Sequence, residues 1–111
     1  MLIREVTDVI ERFAPLAWQE SYDNAGLIVG RPDDMVITHH PIVFHALKRF
    51  NSADQVQRCV ERAIRGGIAL YACHTNLDSA PGGMSWRLAE MLGVGDLRVL
   101  QPAQADEKVG F

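Results

Sequence analysis

Positive charge, cysteine and long apolar runs are all scarce in this 111-residue sequence. Eleven basic and fourteen acidic side chains give a net charge of -3, so no basic stripe is available to bind nucleic acid or an anionic membrane. Two cysteines, Cys59 and Cys73, are too few for a disulfide scaffold. No apolar run approaches the ~20 residues of a membrane span, and the N-terminus lacks the pattern of a secretory signal. These absences predict a cytoplasmic protein.

Apolar residues make up 48% of the chain, which is enough for one packed core, so we expect a single domain over residues 1–111. Helical and extended patterns alternate along it. The predicted helices cover residues 3–13, 53–65 (capped by Asn51 or Ser52) and 84–92, and the predicted strands cover residues 27–29, 36–38, 68–73 and 97–100. This alternation favours an α/β fold with a largely parallel sheet.

One junction does not fit a parallel sheet. Only a turn-length loop separates the strand at 27–29 from the strand at 36–38, which allows a hairpin, whereas a parallel pair needs a crossover of about a dozen residues. Both of these strands have the apolar composition of buried strands. In the last helix, Leu88, Met91 and Leu92 are expected to face the core.

Two adjacent histidines, His39 and His40, follow a β-branched run and precede Pro41. Proline disfavours helical geometry at the residue before it, so we expect the chain to leave the sheet here and present both imidazoles at a strand end. Because neighbouring side chains on extended backbone point in different directions, the two rings are suited to two ions side by side. The alternative is a polar strand terminus without a site.

His74 and Asp78 follow the next strand and can converge on the same edge of the sheet. Neutral imidazole suits zinc, iron, nickel and manganese, and a carboxylate can bridge two ions. A bridged pair of ions makes hydroxide available at neutral pH, which favours hydrolysis. The alternative for Asp78 is a helix cap ahead of Gly82 and Gly83.

Other polar and aromatic residues near these motifs have a structural interpretation beside a functional one. Asp23 and Asn24 could orient a substrate, but this pair is more often a turn. Phe44 could stack on a planar ligand, although core or interface packing is more common for aromatic residues. Cys73 could be a soft metal ligand beside His74, although free cysteine is more often a small buried side chain.

The motifs occur in a fixed order: YDNAGLIVG at residues 22–30, THHPIVF at 38–44 and YACHTNLD at 71–78, followed by Gly82 and Gly83. Together they resemble the Nif-three-like family, also called GTP cyclohydrolase 1 type 2 homologs. The likeness covers residue 1 to about residue 93. It implies an α/β fold with a mixed sheet flanked by helices, a centre of two divalent metal ions and a ring-shaped homohexamer.

The resemblance also implies roles for single residues. His39 and His40 would each ligate one ion, with Asp78 bridging the two. His74 would lie beside the centre as a supporting group or proton carrier. Apart from the resemblance, Glu20 is a second candidate for proton transfer in a hydrolase. The implied protein is a metal-dependent hydrolase of small nucleotide or phosphoester substrates. The alternative is a non-catalytic metal-binding protein that works through assembly or partner contacts.

The sequence departs from the family pattern in two places. Relatives carry a further strand and helix, on the order of thirty residues, between the positions of Asp34 and Met35. They also continue beyond Phe111, into a region where a histidine and a glutamate complete the metal site. We therefore expect this chain to be internally shortened and C-terminally truncated relative to the family. His39, His40 and Asp78 provide three ligands, whereas one tetrahedral zinc ion takes about four. We therefore expect this chain alone to bind metal weakly, with about one ion.

Overall fold

A computed structural model of the chain describes residues 2–30, 34–102 and 109–110. Its helices are α1 (Ile3–Phe13), α2 (Gln55–Arg65), α3 (Thr75–Ser79) and α4 (Met84–Met91), and its strands are β1 (Gly26–Val29), β2 (Asp34–Thr38) and β3 (Ile68–Ala72). A short 3-10 helix, Leu16–Trp18, lies between α1 and β1. Within the described ranges, no helix has both the length and the apolar character needed to cross a membrane.

The strands form one mixed sheet in the order β1-β3-β2. β2 pairs in parallel with β3, from Asp34 opposite Ile68 to Thr38 opposite Ala72. β1 pairs with the other edge of β3 and runs antiparallel to it. The α/β fold with a mixed sheet and helices is therefore confirmed. The expectation of a largely parallel sheet is wrong for β1.

β1 and β2 flank β3 instead of pairing with each other, which explains the short junction between them. Because β1 runs against β3 and β2 runs with it, β1 ends at the same edge of the sheet at which β2 begins. The two strands therefore need only a short connection, although they are not neighbours in the sheet. Gly30, directly after β1, has φ of +102°, and a Cβ there would lie 2.9 Å from the Cα of Ala69. This close approach requires glycine.

The central strand β3 supplies the core of the described residues. Tyr71 and Ala69 are fully buried on it, and the Tyr71 hydroxyl donates a hydrogen bond of 3.0 Å to Glu11 Oε1 on α1. Burial and the adjacent carboxylate raise the pKa of Tyr71, so the phenol remains the donor. Helix α2 packs on β3 and buries Val60 and Ala63. Both helices are thus fixed to the same strand.

Helix α2 begins later than the sequence pattern predicted. Its N-cap is Asp54, whose side chain accepts a hydrogen bond of 2.8 Å from the backbone N–H of Gln57. An N-cap needs extended backbone, whereas Ser52 has φ of +56°. The predicted cap at Asn51 or Ser52 is therefore wrong. The helix ends as predicted before Gly66 and Gly67.

Several apolar side chains that were expected to be buried are exposed. The exposed fraction lies between 45% and 73% for Leu27, Val36, Ile37, Leu88, Met91 and Leu92. Val36 and Ile37 point to opposite faces of β2, so this strand, which lies at the edge of the sheet in the described residues, exposes apolar side chains on both faces. Helix α4 packs chiefly against α3. The predicted strand at residues 97–100 is also wrong, because that segment has no regular structure.

Substitution of Gly83 by alanine should cost much more stability than substitution of its neighbour Gly82. A Cβ at Gly83 would overlap the carbonyl oxygen of Leu77, whereas a Cβ at Gly82 meets nothing within 4 Å. Gly82→Ala should cost only about 1 kcal/mol, because its φ of +73° is left-handed. Gly83→Ala should cost about 2–4 kcal/mol in the free energy of unfolding, measured with urea. Equal losses would contradict the close contact between the start of α4 and Leu77.

Candidate metal centre

The parallel register of β2 and β3 brings the histidine-bearing ends of both strands together. Thr38 lies opposite the last residue of β3, and its carbonyl oxygen accepts a further hydrogen bond of 2.9 Å from Cys73 N–H. His39 and His40 follow one strand, and His74 follows the other. All of these rings therefore lie at one edge of the sheet, as expected for ligand sites in open α/β sheets.

His39, His40 and His74 form a compact cluster. One ring nitrogen from each lies within 4.8 Å of the others. Their ring centroids are 4.8 to 5.3 Å apart. His39 and His74 are half-buried, whereas His40 is exposed. A cluster of imidazoles with this spacing can hold a metal ion.

His39 is held in one orientation, with Asp78 facing its outer nitrogen. Its Nδ1 lies 2.8 Å from the carbonyl oxygen of Cys73. Because a carbonyl only accepts, Nδ1 carries the hydrogen, and the lone pair of the neutral ring is on Nε2. Nε2 lies 3.7 Å from Asp78 Oδ1. Nitrogen and oxygen ligands of one tetrahedral ion are about 3.4 Å apart, so this spacing is close to that of a ligand pair.

Asp78 is not the helix cap that the alternative interpretation required. It lies within α3, and α4 begins after Gly83. The carboxylate of Asp78 is only 19% exposed and faces His39. The structure therefore brings Asp78 to the histidine cluster.

His40 and His74 form a second close pair. Nδ1 of His40 lies 3.2 Å from Nε2 of His74. Two imidazole nitrogens on one tetrahedral zinc ion are about 3.3 Å apart, since each zinc–nitrogen bond is about 2.0–2.1 Å. The spacing of this pair is therefore close to that of two imidazole ligands of one divalent ion.

Asp23 lies behind His74 and fixes its ring. The Asp23 carboxylate is inaccessible to solvent. Its Oδ1 accepts hydrogen bonds from His74 Nδ1 at 2.6 Å and Asn24 N–H at 2.7 Å. Its Oδ2 accepts hydrogen bonds from the backbone N–H of Thr75 at 2.9 Å and from the Thr75 hydroxyl. Burial acts to raise the pKa of Asp23, but these hydrogen bonds outweigh it and hold the pKa below its usual range.

The turn interpretation of Asp23 and Asn24 captured only part of their role. The pair does form a local hydrogen bond, as turn residues do. However, Asp23 also contacts His74, 51 positions along the chain, and Asn24 Nδ2 donates a hydrogen bond of 2.7 Å to Val43 O, just after the histidine pair. Sequence spacing alone gives no signal for contacts over such separations.

Glu20 and Cys73 contact the surroundings of the cluster through their backbones. The backbone N–H of Glu20 donates a hydrogen bond of 2.9 Å to Thr75 Oγ1, but no contact between its carboxylate and a cluster histidine is found in the described part of the chain. Burial raises the pKa of the Cys73 thiol, and its sulfur does not belong to the histidine cluster found in the described residues. Cys73 contacts His39 through its carbonyl oxygen instead.

An open cavity of about 290 Å³ lies in front of the cluster, lined by His40, Pro41, Phe44 and His74. Phe44 is 40% exposed. Its ring meets that of His74 edge-on, with the centroids 6.0 Å apart and the planes at 90°. The cavity gives a small molecule access to the exposed side of the histidine cluster.

Residues 31–111 match the model of the Duf34/NIF3 (NGG1p interacting factor 3) family, and the chain belongs to this family. A GTP cyclohydrolase 1 type 2 homolog from Bacillus subtilis is 30% identical, over 93% of this chain and 34% of the relative. A protein with the same name from Clostridium perfringens is 26% identical, over 100% of this chain and 52% of the relative. NIF3-like protein 1 of Bos taurus is 27% identical, over 96% of this chain and 35% of the relative.

Solved structures share the fold. A Bacillus cereus protein related to NIF3 superimposes with a TM-score of 0.80 at 29% identity, over 89% of this chain and 34% of that one. Reduced HcgD from Methanocaldococcus jannaschii superimposes with a TM-score of 0.79 at 25% identity, over 91% of this chain and 50% of that one. The chain thus spans about a third to a half of the length of these relatives.

The alignments also bear on the internal segment that the resemblance implied to be missing. The alignment with the Clostridium perfringens relative runs over 136 positions, although this chain has only 111 residues. That relative therefore has residues within the aligned region that this chain lacks, which agrees with the expected internal shortening.

The buried Asp23 carboxylate predicts a specific loss of stability in acid. Because its pKa is lower in the folded chain than in the unfolded chain, Asp23 stabilises the fold above the usual carboxyl pKa. This contribution is lost as the pH falls through the lowered value. Urea unfolding from about pH 6 to pH 2 should show a weaker pH dependence for Asp23→Asn than for the wild type. The control Asp8→Asn, at an exposed site on α1, should keep the wild-type pH dependence of the free energy of unfolding. If Asp23→Asn also keeps it, Asp23 does not stabilise the fold in this way.

Proposed function

We propose that this chain carries the metal site of a NIF3-family protein that binds two divalent ions and hydrolyses nucleotide or phosphoester substrates. The observation that supports this most directly is the convergence of three imidazoles with the Asp78 carboxylate nearby, at the adjacent ends of two parallel strands. Zinc, iron, manganese and nickel all accept this donor set.

His39 and His40 are the proposed ligands of separate ions, with Asp78 as the carboxylate between them. The Nε2 lone pair of His39 faces Asp78, and His40 lies on the exposed side of the cluster. This division supports two ion positions side by side. When bound, two such ions would supply Lewis-acid stabilisation of charged oxygens and a source of hydroxide at neutral pH.

The side chains around the site would select and orient the substrate. The cavity lined by Pro41 and Phe44 gives an apolar wall beside the polar cluster, which suits a substrate with both a planar and an anionic part. Glu20 remains a proposed proton carrier. The hydrogen bond from its backbone N–H to Thr75 Oγ1 places the residue near His74, which precedes Thr75 in the chain. Nucleotide substrates are suggested by the name of the relatives, GTP cyclohydrolase 1 type 2 homolog.

Self-association is part of the same proposal. The family resemblance suggests a homohexamer, and the exposed apolar residues of β2 and α4 offer surfaces that an assembly could cover. Sedimentation of the purified chain would give its oligomeric state.

The second candidate is a metal-binding protein without catalysis, which works through assembly or partner contacts. Three imidazoles and one carboxylate are available for two ions. Each ion would therefore have fewer than the four ligands of a closed zinc site. The chain also spans only a third to a half of its relatives. Both observations favour weak metal handling by this chain alone.

Activity assays with the His40→Ala variant separate these candidates. We expect Mn²⁺-dependent turnover of a substrate in a panel of nucleotides and phosphodiesters, and a loss of at least about tenfold in His40→Ala, because a ligand is removed. His45→Ala is the matched control, since His45 is exposed and does not belong to the cluster. Metal-loaded protein with no turnover on any substrate would favour the handling role, and failure to bind any metal would contradict both.

A further inference from the structure

A second cavity, of about 340 Å³, lies between α2 and the sheet. All three strands contribute side chains to its wall, because alternate residues of a strand share one face. Ile28 comes from β1, Val36 from β2 and Leu70 from β3. Val36 and Leu70 are direct neighbours in the parallel register. The wall that the sheet provides is therefore aliphatic and continuous across the strands.

The cavity is present because α2 covers only part of this face of the sheet. The helix packs chiefly on β3 and β1, and it contributes Cys59 and Ala63 to the opposite wall. Val36, on the edge strand, stays 45% exposed. A small molecule in solution can therefore reach the aliphatic wall from the side of β2.

Arg62 is the only charged residue among the described residues that line this cavity. The two other arginines of α2 have partners, since Arg58 Nη1 donates a hydrogen bond of 3.2 Å to Ser52 O, and Arg65 pairs with Glu61 at 2.8 Å. The guanidinium of Arg62 has no ion pair or hydrogen bond with any other described residue. An exposed, unpaired cation therefore lies beside an aliphatic wall.

This cavity is distinct from the one in front of the histidine cluster. That one is lined by Pro41 and Phe44, whereas this one is lined by Thr38 and Ile42. No cluster histidine is among the described residues of its wall. The Thr38 hydroxyl already donates a hydrogen bond of 2.9 Å to His40 O. Arg62 is therefore the polar group that is free to orient a ligand here.

We propose that this cavity binds an aliphatic carboxylate of medium chain length, with its chain against Val36 and Leu70 and its carboxylate on Arg62. Ligand sites commonly have volumes of about 300–1,000 Å³ and combine an apolar lining with a few polar groups that fix orientation. The observed volume is at the small end of this range, which suits a single alkyl chain. A guanidinium can hold a carboxylate through two parallel hydrogen bonds. This binding requires no metal ion.

Cys59 allows a direct test on the wild-type chain, because it lines the cavity and the other cysteine, Cys73, is buried. The full chain is treated with iodoacetamide, with and without decanoate below its micelle-forming concentration, and modification of each cysteine is followed by peptide mass. At ten times the Kd of decanoate, modification of Cys59 should slow about tenfold, because about a tenth of the protein remains free. Acetate, which lacks the chain, should give no protection. Absence of protection by decanoate would overturn the proposal.

Two comparisons in the same assay test what occupies the cavity. Decanol has the same chain without the charge, so it should protect Cys59 at higher concentrations than decanoate. Equal protection by the two would overturn the proposed anionic ligand. If Cys59 is protected without any ligand and loses this protection when the protein is diluted, a second copy of the chain covers the cavity, which would also overturn the proposal.

The role of Arg62 is tested by its charge preference. Arg62→Gln should weaken decanoate binding by about two- to fivefold, the range expected for an exposed ion pair, and should leave decanol binding unchanged. Arg65→Gln is the matched control on the same helix, since Arg65 is already paired with Glu61, and it should keep the wild-type preference for decanoate. Circular dichroism confirms that both variants are folded. A folded Arg62→Gln variant with the wild-type preference would overturn the assignment of the carboxylate to Arg62.

Discussion

The parallel register between β2 and β3 is the constraint on which the whole site depends. It places Thr38 opposite Ala72, so that the residues after each strand emerge at the same edge and at the same height. The hydrogen bond from Cys73 N–H to Thr38 O extends the pairing past the strands. A slip of one residue would turn every side chain of β2 to the other face of the sheet and separate the histidines.

The second layer of the site is polar and buried. Asp23 comes from the segment before β1, yet it contacts the residues after β3. Asn76, which is fully buried in α3, donates a hydrogen bond of 2.8 Å to Ala14 O at the end of α1. These contacts join the N-terminal third of the chain to the edge of the sheet that bears the histidines. Satisfied buried polar groups of this kind fix one arrangement, because any other leaves them unpaired.

The exposed apolar surface contrasts with this closely bonded site. Val36 and Ile37 on the edge strand, and Met91 and Leu92 at the end of α4, are apolar residues of the kind found in cores but are 45% to 73% exposed in the described part of the chain. Patterns of apolar residues report which side chains favour burial, and they do not report what covers them. This is why the predicted burial of these residues was wrong. The elements that carry them, β2 and α4, nevertheless formed close to the predicted positions.

The sequence by itself determined most of the local elements and the residues that make up the candidate site. The β-branched run, the proline after the histidine pair and the glycines after α2 act over a few residues, so the end of β2 and the C-terminal end of α2 could be predicted from the sequence. The family motifs placed His39, His40, His74 and Asp78 in one site, and all of them meet. Only the tertiary structure decided the sheet order, the antiparallel β1 and the contact of Asp23 with His74. These depend on pairing between residues far apart in the chain, for which a single sequence carries no periodic signal.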